Sequence, residues 1–389
     1  RDFYPEQMAV RNWIVDGWKA ASIRNGFAEY DGPIFEHLQM YKIKSGDEIV
    51  EQLFSFKDRG GRDLAIRPEI TPTLARMVNQ QVNSLAKPIK WFSVPRLCRA
   101  ERPQKGRLRE FFQWNIDIIG QDDVLADAET IFTAVDYLRR VRLTENDVVV
   151  RISSRKMLAE MLKSIGLSAE QLEDVYGVLD KRDKVPEEAF EQMLEKVVTD
   201  AEQRSRIIEL MQAESIEGLS DIAGLSDTAA EAIEELRRLF ELLDAMGIAD
   251  FCKFDIAIVR GLAYYTGIVY EIHDKAGQLR AIGGGGRYDN LLKQFGGPKI
   301  SATGFGMGDS VLEILLREKG LLEEQLPQQR IEYFFAYADE KYRNKAIELT
   351  MGMRGKGRSA NFSYKGSGLG KQFKEAAAQN ASFVIIVGE

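Results

Sequence analysis

In "QMAVRNWIVDGWKAASIRN", residues 7–25, Val10, Trp13, Ile14 and Ala21 fall near one face of a 3.6-residue turn. This spacing predicts an amphipathic helix, with Gly26 as its C-terminal cap. The pattern then shortens. "FAEYDGPIF", "EQLFSFKD", "DLAIRPEI" and "FFQWNIDIIG" are runs of strand-forming residues separated by glycine-rich and polar turns, which predicts an antiparallel meander. "ADAETIFTAVDYLRRV" and the segment after "VVVRISS" return to helical spacing. From about Lys156 to Met246 the pattern is almost wholly helical, broken by "KRDKVPEE" and "IEGLSDIAGLSD", and forms a candidate helical insertion. Strand patterns resume in "FCKFDIAIV", "YYTGIVYEIHD" and "LRAIGGGGRYD".

Beyond the linker-like "KGLLEEQLPQQR" the grammar changes again. "IEYFFAY", "RSANFSY" and "SFVIIVG" are strand patterns, and "DEKYRNKAIELTMGMRG" and "GLGKQFKEAAAQN" between them are helical. Strand–helix alternation of this length calls for parallel strands with right-handed crossovers, hence a separate α/β domain. That block also differs in charge. Residues 330–389 carry ten Lys/Arg and six Asp/Glu in a chain of net charge −7, which leaves −11 on residues 1–329. On charge alone, the basic block fits a docking polyanion or a solvated helix face equally well.

A length of 389 residues implies two or three domains, and 44% hydrophobic with 29% charged residues is ordinary for a globular protein. No apolar run approaches the roughly 18–20 residues that span a bilayer. The two cysteines, Cys98 and Cys252, cannot build a disulfide framework and fit a reducing cytoplasm. His37 and His273 are the only histidines, too few for a Cys/His zinc site, and both read as structural or surface residues. Any metal is expected to be a hard cation arriving with a phosphate ligand.

The chemistry concentrates in "RAERPQKGRLREFFQ", Arg99–Gln113, with five basic and two acidic side chains. Read as a hairpin, it presents planar guanidinium forks suited to phosphate oxygens, glutamates to orient them, and Phe111 or Phe112 to pack on a purine. Composition leaves two readings open, a nucleotide clamp and a surface hairpin laced with ion pairs. In "LAIRPEITPTLAR" a strand reading puts Arg67, Glu69, Thr71 and Thr73 on one face, suited to a ligand amino group. "IVRGLAYYTGIVYE" sets Arg260 and two tyrosines after an apolar run. "AIGGGGRYDNLL" and "TGFGMGDSVLEILL" are glycine-rich, but neither has the Gly-Lys-Ser/Thr of a P-loop. GFGMG is also not the GxGxxG of a dinucleotide fold.

Taken in order, these segments resemble the histidyl-tRNA synthetase family of class II aminoacyl-tRNA synthetases. "RAERPQKGRLREFFQ" is similar to its motif 2, and "RGLAYYTG" and "GGGGRYDNLL" to its two histidine-enzyme signatures. "LAIRPEITPTLAR" resembles its amino-acid-binding strand and "RDFYPEQ" the region near its N-terminus. The resemblance implies an α/β (α+β) fold: a class II catalytic domain over 1–325, with a six-stranded antiparallel sheet, flanking helices and the insertion at about 156–246. An α/β anticodon-binding domain follows over 330–389, stopping before the last strand usual in the family. It implies a homodimer paired around "DGPIFEHLQMYK", ATP and Mg²⁺, L-histidine and tRNA(His) as partners, and no membrane.

Residue by residue, the resemblance makes Arg99 and Arg260 the catalytic grips on the α-phosphate of ATP. Glu101 is expected at the adenine, Arg107 at the outer phosphates and Phe111 stacked on the base. Glu69, Thr71 and Gln113 are expected on the amino and carboxylate groups of histidine, with Asp117, Tyr265 and Tyr264 on the imidazole. Two positions depart from the family pattern. Val311 stands where motif 3 carries an arginine, and Ala263 where an aspartate is common, with Arg107, Lys105 or Mg²⁺ as the expected compensation. Two alternatives share the fold: a catalytically silent ATP phosphoribosyltransferase regulatory subunit, and a tRNA-binding sensor. The intact "ERPQKGRLREFFQ" and the C-terminal α/β block weigh against the first.

Overall fold

The computed structural model describes residues 2–44, 53–102, 104–182, 185–213, 215–220, 226–259, 264–326 and 330–389. Contacts gather the chain into two units, Val10–Glu324 and a smaller unit of Gln325–Glu389 with Arg1–Ala9.

The larger unit is organised by a nine-stranded sheet. Six consecutive neighbours in it are antiparallel: Ile89–Ser93, Glu110–Ile119, Ala302–Gly308, Gly283–Arg287, Ile268–Asp274 and Val148–Ser154. Ala28–Glu29 and Cys252–Phe254 add parallel edges, and Arg96–Cys98 pairs with the outer end of Glu110–Ile119. The antiparallel six-strand core that the family resemblance implies is therefore present.

Strand alternation gives this sheet two different faces. Trp114, Ile116 and Ile118 point to the packed face, where all three are buried. The helix Pro5–Arg24 covers it with Trp18, whose ring stacks on Trp114 at 6.1 Å, and with Ser22, whose Oγ accepts from Trp114 Nε1 at 2.8 Å. Tyr137 of the helix Leu125–Arg140 meets Trp114 edge-on at 5.5 Å. Gln113, Asn115 and Asp117 point to the other face, opposite Gly308, Gly306 and Gly304. Those glycines clear space. A Cβ on Gly304 would lie 2.3 Å from Asp117 Oδ1, and one on Gly306 2.8 Å from the Gln113 amide. Gly284 and Gly286, on the next strand, face Gly306 and Gly304. Period-two glycine on two adjacent strands thus hollows one side of the sheet.

The N-terminal meander departs from expectation. Phe35–His37, Asp63–Ile66 and Ser55–Lys57 form a separate three-stranded antiparallel sheet with Asp63–Ile66 in the middle. The strand reading of "LAIRPEITPTLAR" also fails beyond Ile66: Thr71–Gln81 is a helix with Pro72 in its first turn. Thr73 consequently turns into the core and donates to Glu36 at 3.0 Å. Period-two spacing could not reveal the break, because proline is compatible with both readings.

Between Val148–Ser154 and Cys252–Phe254 the described residues are helical, from Arg155–Ser164 to Asp227–Ala245. Side-chain caps mark the starts: Ser154 accepts from Met157 N, Asp200 from Glu202 N and Gln203 N, and Ser226 from Ala229 N. The interruptions read from the sequence fall partly on residues 183–184 and 221–225, outside the described residues.

The smaller unit has three parallel strands, in the order Ala360–Phe362, Tyr333–Tyr337, Phe383–Val387, and the helices Arg343–Gly355 and Leu369–Ala378. Its central strand is apolar on both sides, as a parallel strand covered twice must be. Phe335 and Tyr337 pack with Ala346, while Phe334 and Ala336 pack with Ala376. Buried Gln372 locks the second helix, accepting from Tyr337 N at 2.9 Å and donating to Tyr337 O at 2.9 Å. This is the alternating architecture expected of the C-terminal block.

Candidate active site

The hollowed face opens into a cleft of about 790 Å³. Its floor is the glycine surface, and chemically distinct groups converge from either end.

At one end stands Asp117, buried on the central strand. The Tyr288 phenol donates a short hydrogen bond to Asp117 Oδ1. Burial first, then the Asp117 charge, raises the Tyr288 pKa well above its ordinary value, so the phenol stays a donor. Tyr264 meets Tyr288 edge-on at 5.9 Å and lies 4.7 Å from the ring of buried Tyr265. Glu69 enters from the turn after Ile66, Thr71 from the first position of the helix Thr71–Gln81, and Gln113 and Asn115 from the strand. Arg67 does not join them. It is buried in the turn, donating to Asp31 at 2.6 Å, Gly32 O at 2.8 Å and Arg96 O at 3.1 Å.

The other end is built by the hairpin of Arg96–Cys98 and Glu110–Ile119. Arg99 N donates to Arg109 O at 2.8 Å, and Gln104 and Arg107 exchange backbone bonds of 3.1 and 2.9 Å. Gly106, at φ +74, turns the tip. The Arg99 guanidinium lies over the Phe111 ring at 5.2 Å, and its Nε donates to Pro68 O at 3.1 Å. Arg107 is paired with Glu101 in a short contact. Glu101 therefore orients an arginine, as the interleaved charges suggested. Lys105 pairs with Glu318 at 3.0 Å and is not among the residues that line the cleft.

Val311 belongs to the helix Asp309–Glu318, which starts at the end of the glycine strand. Its side chain is buried, and a Cβ on Gly106 would come within 3.0 Å of Val311 Cγ2. The hairpin tip thus rests on an apolar residue. Asp309, at the start of the same helix, is pushed up to about 6 by burial, against a hydrogen bond from Phe112 N.

Of the eleven residues to which the resemblance gives a role, ten line this one cleft: Glu69, Thr71, Gln113, Asp117, Tyr264 and Tyr265 with Arg99, Glu101, Arg107 and Phe111; Arg67 and Thr73, read from strand spacing, do not. The eleventh, Arg260, lies outside the described residues, as does Ala263. Sequence reading missed Tyr288, Asn115 and Arg280, which also line the cleft. Asn115 was accessible from period-two spacing with Gln113 and Asp117, and Tyr288 from its place in "GGGGRYD".

A family model described as histidyl-tRNA synthetase matches residues 1–310. The chain belongs to the histidyl-tRNA synthetase family. The histidine–tRNA ligase of Arabidopsis thaliana chloroplasts and mitochondria is 40% identical over 389 residues, covering all of this chain and 79% of its own length. The histidine–tRNA ligase of Opitutus terrae is 40% identical over 391 residues, covering all of this chain and 89% of its own. In fold, a histidyl-tRNA synthetase from a Nostoc species superposes with a TM-score of 0.84 at 24% identity, covering all of this chain and 90% of the other. A Bacillus halodurans structure described as an ATP phosphoribosyltransferase regulatory subunit/histidyl-tRNA synthetase gives 0.81 at 23%, covering 99% of this chain and 96% of the other. The fold is thus common to both descriptions. The ligase relatives are set apart by sequence identity over the whole chain.

Proposed function

We propose that the chain is a histidine–tRNA ligase that works in two steps. A carboxylate oxygen of L-histidine attacks the α-phosphorus of ATP, the bond from that phosphorus to the bridging oxygen breaks, and pyrophosphate leaves. A hydroxyl of the terminal ribose of tRNA(His) then attacks the carbonyl carbon of the adenylate, and AMP leaves. In this reading Arg99 and Arg260 hold the α-phosphate, and Arg99, with its Nε on Pro68 O, is preorganised where charge develops. Arg107, paired with Glu101, takes the outer phosphates, while Glu101 meets the adenine and Phe111 stacks on the base. Glu69, Thr71 and Gln113 hold the amino and carboxylate groups of histidine. Asp117, with Tyr264 and Tyr265, takes the imidazole, one ring nitrogen on an acid and the other on a phenol. A pocket that hydrogen-bonds both nitrogens leaves buried polar groups unpaired with any isostere lacking them, a penalty of roughly 10⁴–10⁵ in selectivity.

The observation that carries the reading is the single cleft with arginines at one end and a carboxylate–phenol pair at the other. Mg²⁺ enters with ATP as part of the substrate; among the described residues no group of three His, Cys, Asp or Glu side chains is gathered to hold a metal. The basic C-terminal unit is the tRNA-docking part of the proposal. Homodimer pairing runs through the small sheet, where Ile34, Phe35 and Phe56 are exposed and Phe35 meets Phe56 edge-on at 5.5 Å. Cytoplasmic location fits the two free cysteines, and among the described residues no helix is long and apolar enough to cross a membrane.

The test is histidine-dependent ATP–pyrophosphate exchange followed by charging of tRNA(His). Exchange and charging are expected. Histidine binding without exchange would replace this reading with the regulatory or sensing one.

A further inference from the structure

The helix that begins Asp309-Ser310-Val311 brings no cation into the cleft, and the hairpin tip closes over Val311. A different segment reaches the same place. Ile282 N donates to Ile272 O at 2.7 Å, and Gly308 N donates to Ile282 O at 3.3 Å, extending the ladder in which Gly283 pairs with Met307. The chain at Ile282 is therefore pinned beside Gly308, the residue preceding Asp309. Arg280 stands two residues earlier and lines the cleft with Arg99, Glu101 and Arg107.

Its electrostatic setting is one-sided. Arg280 makes no hydrogen bond or ion pair among the described residues. Partial burial, then the Arg107 charge and that of Arg99, disfavour its protonated form, while Glu101 and Glu271 oppose them. Both acids already have partners: Glu101 holds Arg107, and Glu271 lies 3.0 Å from His273 Nε2. A guanidinium kept beside two others is relieved by a ligand carrying several negative oxygens, and its planar fork suits two at once.

We infer that Arg280 grips the outer phosphates of ATP and supplies, from the neighbouring strand, the cation that position 311 lacks. This rests on the reading of the cleft as an ATP site.

The experiment compares Arg280→Ala, Arg280→Lys and the double variant Arg280→Ala/Val311→Arg in the full chain. Histidine-dependent exchange is followed while ATP and histidine are titrated separately. Arg280→Ala should raise KM for ATP about ten- to thirtyfold, the range of a charge-assisted hydrogen bond at a partly exposed site. KM for histidine should stay within about twofold and the thermal midpoint should not move. Lysine should recover part of the loss, and the double variant more. Calorimetric titration of the same proteins should show weakened ATP binding with AMP binding unchanged. An unchanged KM for ATP, or equal weakening of ATP and AMP, overturns the assignment. If the unaltered protein shows no exchange, the proposed activity fails, and the ATP and AMP titrations still decide the role of Arg280.

Discussion

Arg287 and the arginines of the cleft show how one side chain serves two ends. Arg287 ends the strand Gly283–Arg287 and is buried, and every guanidinium nitrogen has a protein acceptor. Nε donates to Asp127 Oδ2 at 2.9 Å, Nη1 to Gln121 O at 3.0 Å and Ser301 Oγ at 2.5 Å, and Nη2 to Asp123 O at 3.0 Å. It ties the sheet to the helix Leu125–Arg140. Arg99, Arg107 and Arg280 stand at the open side of the same sheet with far fewer acceptors: one carbonyl and a ring face, one glutamate, and none among the described residues. Saturated donors hold structure; in the proposed reading the unsaturated donors facing the cleft are the ones that take an anion. The sequence motif "GGGGRYD" does not distinguish these roles.

The largest expected effect breaks the saturated side. Arg287→Ala leaves Asp127 buried without its partner and should cost about 3–5 kcal/mol in denaturant unfolding. A loss under about 1 kcal/mol would mean that the bonded network is not what holds sheet to helix. Next is Arg99→Ala, which should slow histidine-dependent exchange about 10²–10³-fold, or about 3–4 kcal/mol, while unfolding changes by less than about 1 kcal/mol. A comparable loss of stability would place Arg99 with Arg287 as a structural group.

The smallest effect sharpens the contrast through an acid that lacks an arginine fork. Asp309 is buried with a backbone N–H and the Ser310 hydroxyl for partners, and burial raises its pKa to about 6. Between the ordinary carboxylate pKa near 4 and that value, the folded state binds more protons than the unfolded, so stability falls as pH rises through this window. Asp309→Asn cannot ionise. It should match the unaltered protein below about pH 4 and exceed it by at most about 3 kcal/mol above about pH 6. Thermal midpoints across pH 4–8 measure this, and a gap independent of pH would contradict the burial argument.

Legibility followed the range of each signal. Strand–helix alternation predicted the C-terminal unit because each crossover is local and the central strand "YFFAY" shows its double burial as an unbroken apolar run. The hairpin from Arg99 to Gln113 was readable for the same reason. The path after Ile66 was not, since Arg67-Pro68-Glu69 satisfies strand spacing until packing turns Thr71–Gln81 into a helix over the core. The glycines of "GGGG" and "GFGMG" match neither a P-loop nor a dinucleotide fingerprint, and spacing alone gave them no role. Their purpose appears only in the register that sets Gly304 opposite Asp117 and Gly306 opposite Asn115.

The sequence by itself determined which residue types could do chemistry, the antiparallel and parallel halves of the fold, and the family, because periodicity and motif spacing are written in consecutive positions. Tertiary structure alone decided that Tyr288 donates to Asp117 across 171 positions, that Arg287 is spent on Asp127, and that Arg280 comes to stand with Arg99 and Arg107. The physical reason is strand register. A side chain's partners are set by which strands lie next to each other and by a two-residue alternation of faces, and neither is encoded near the residue itself.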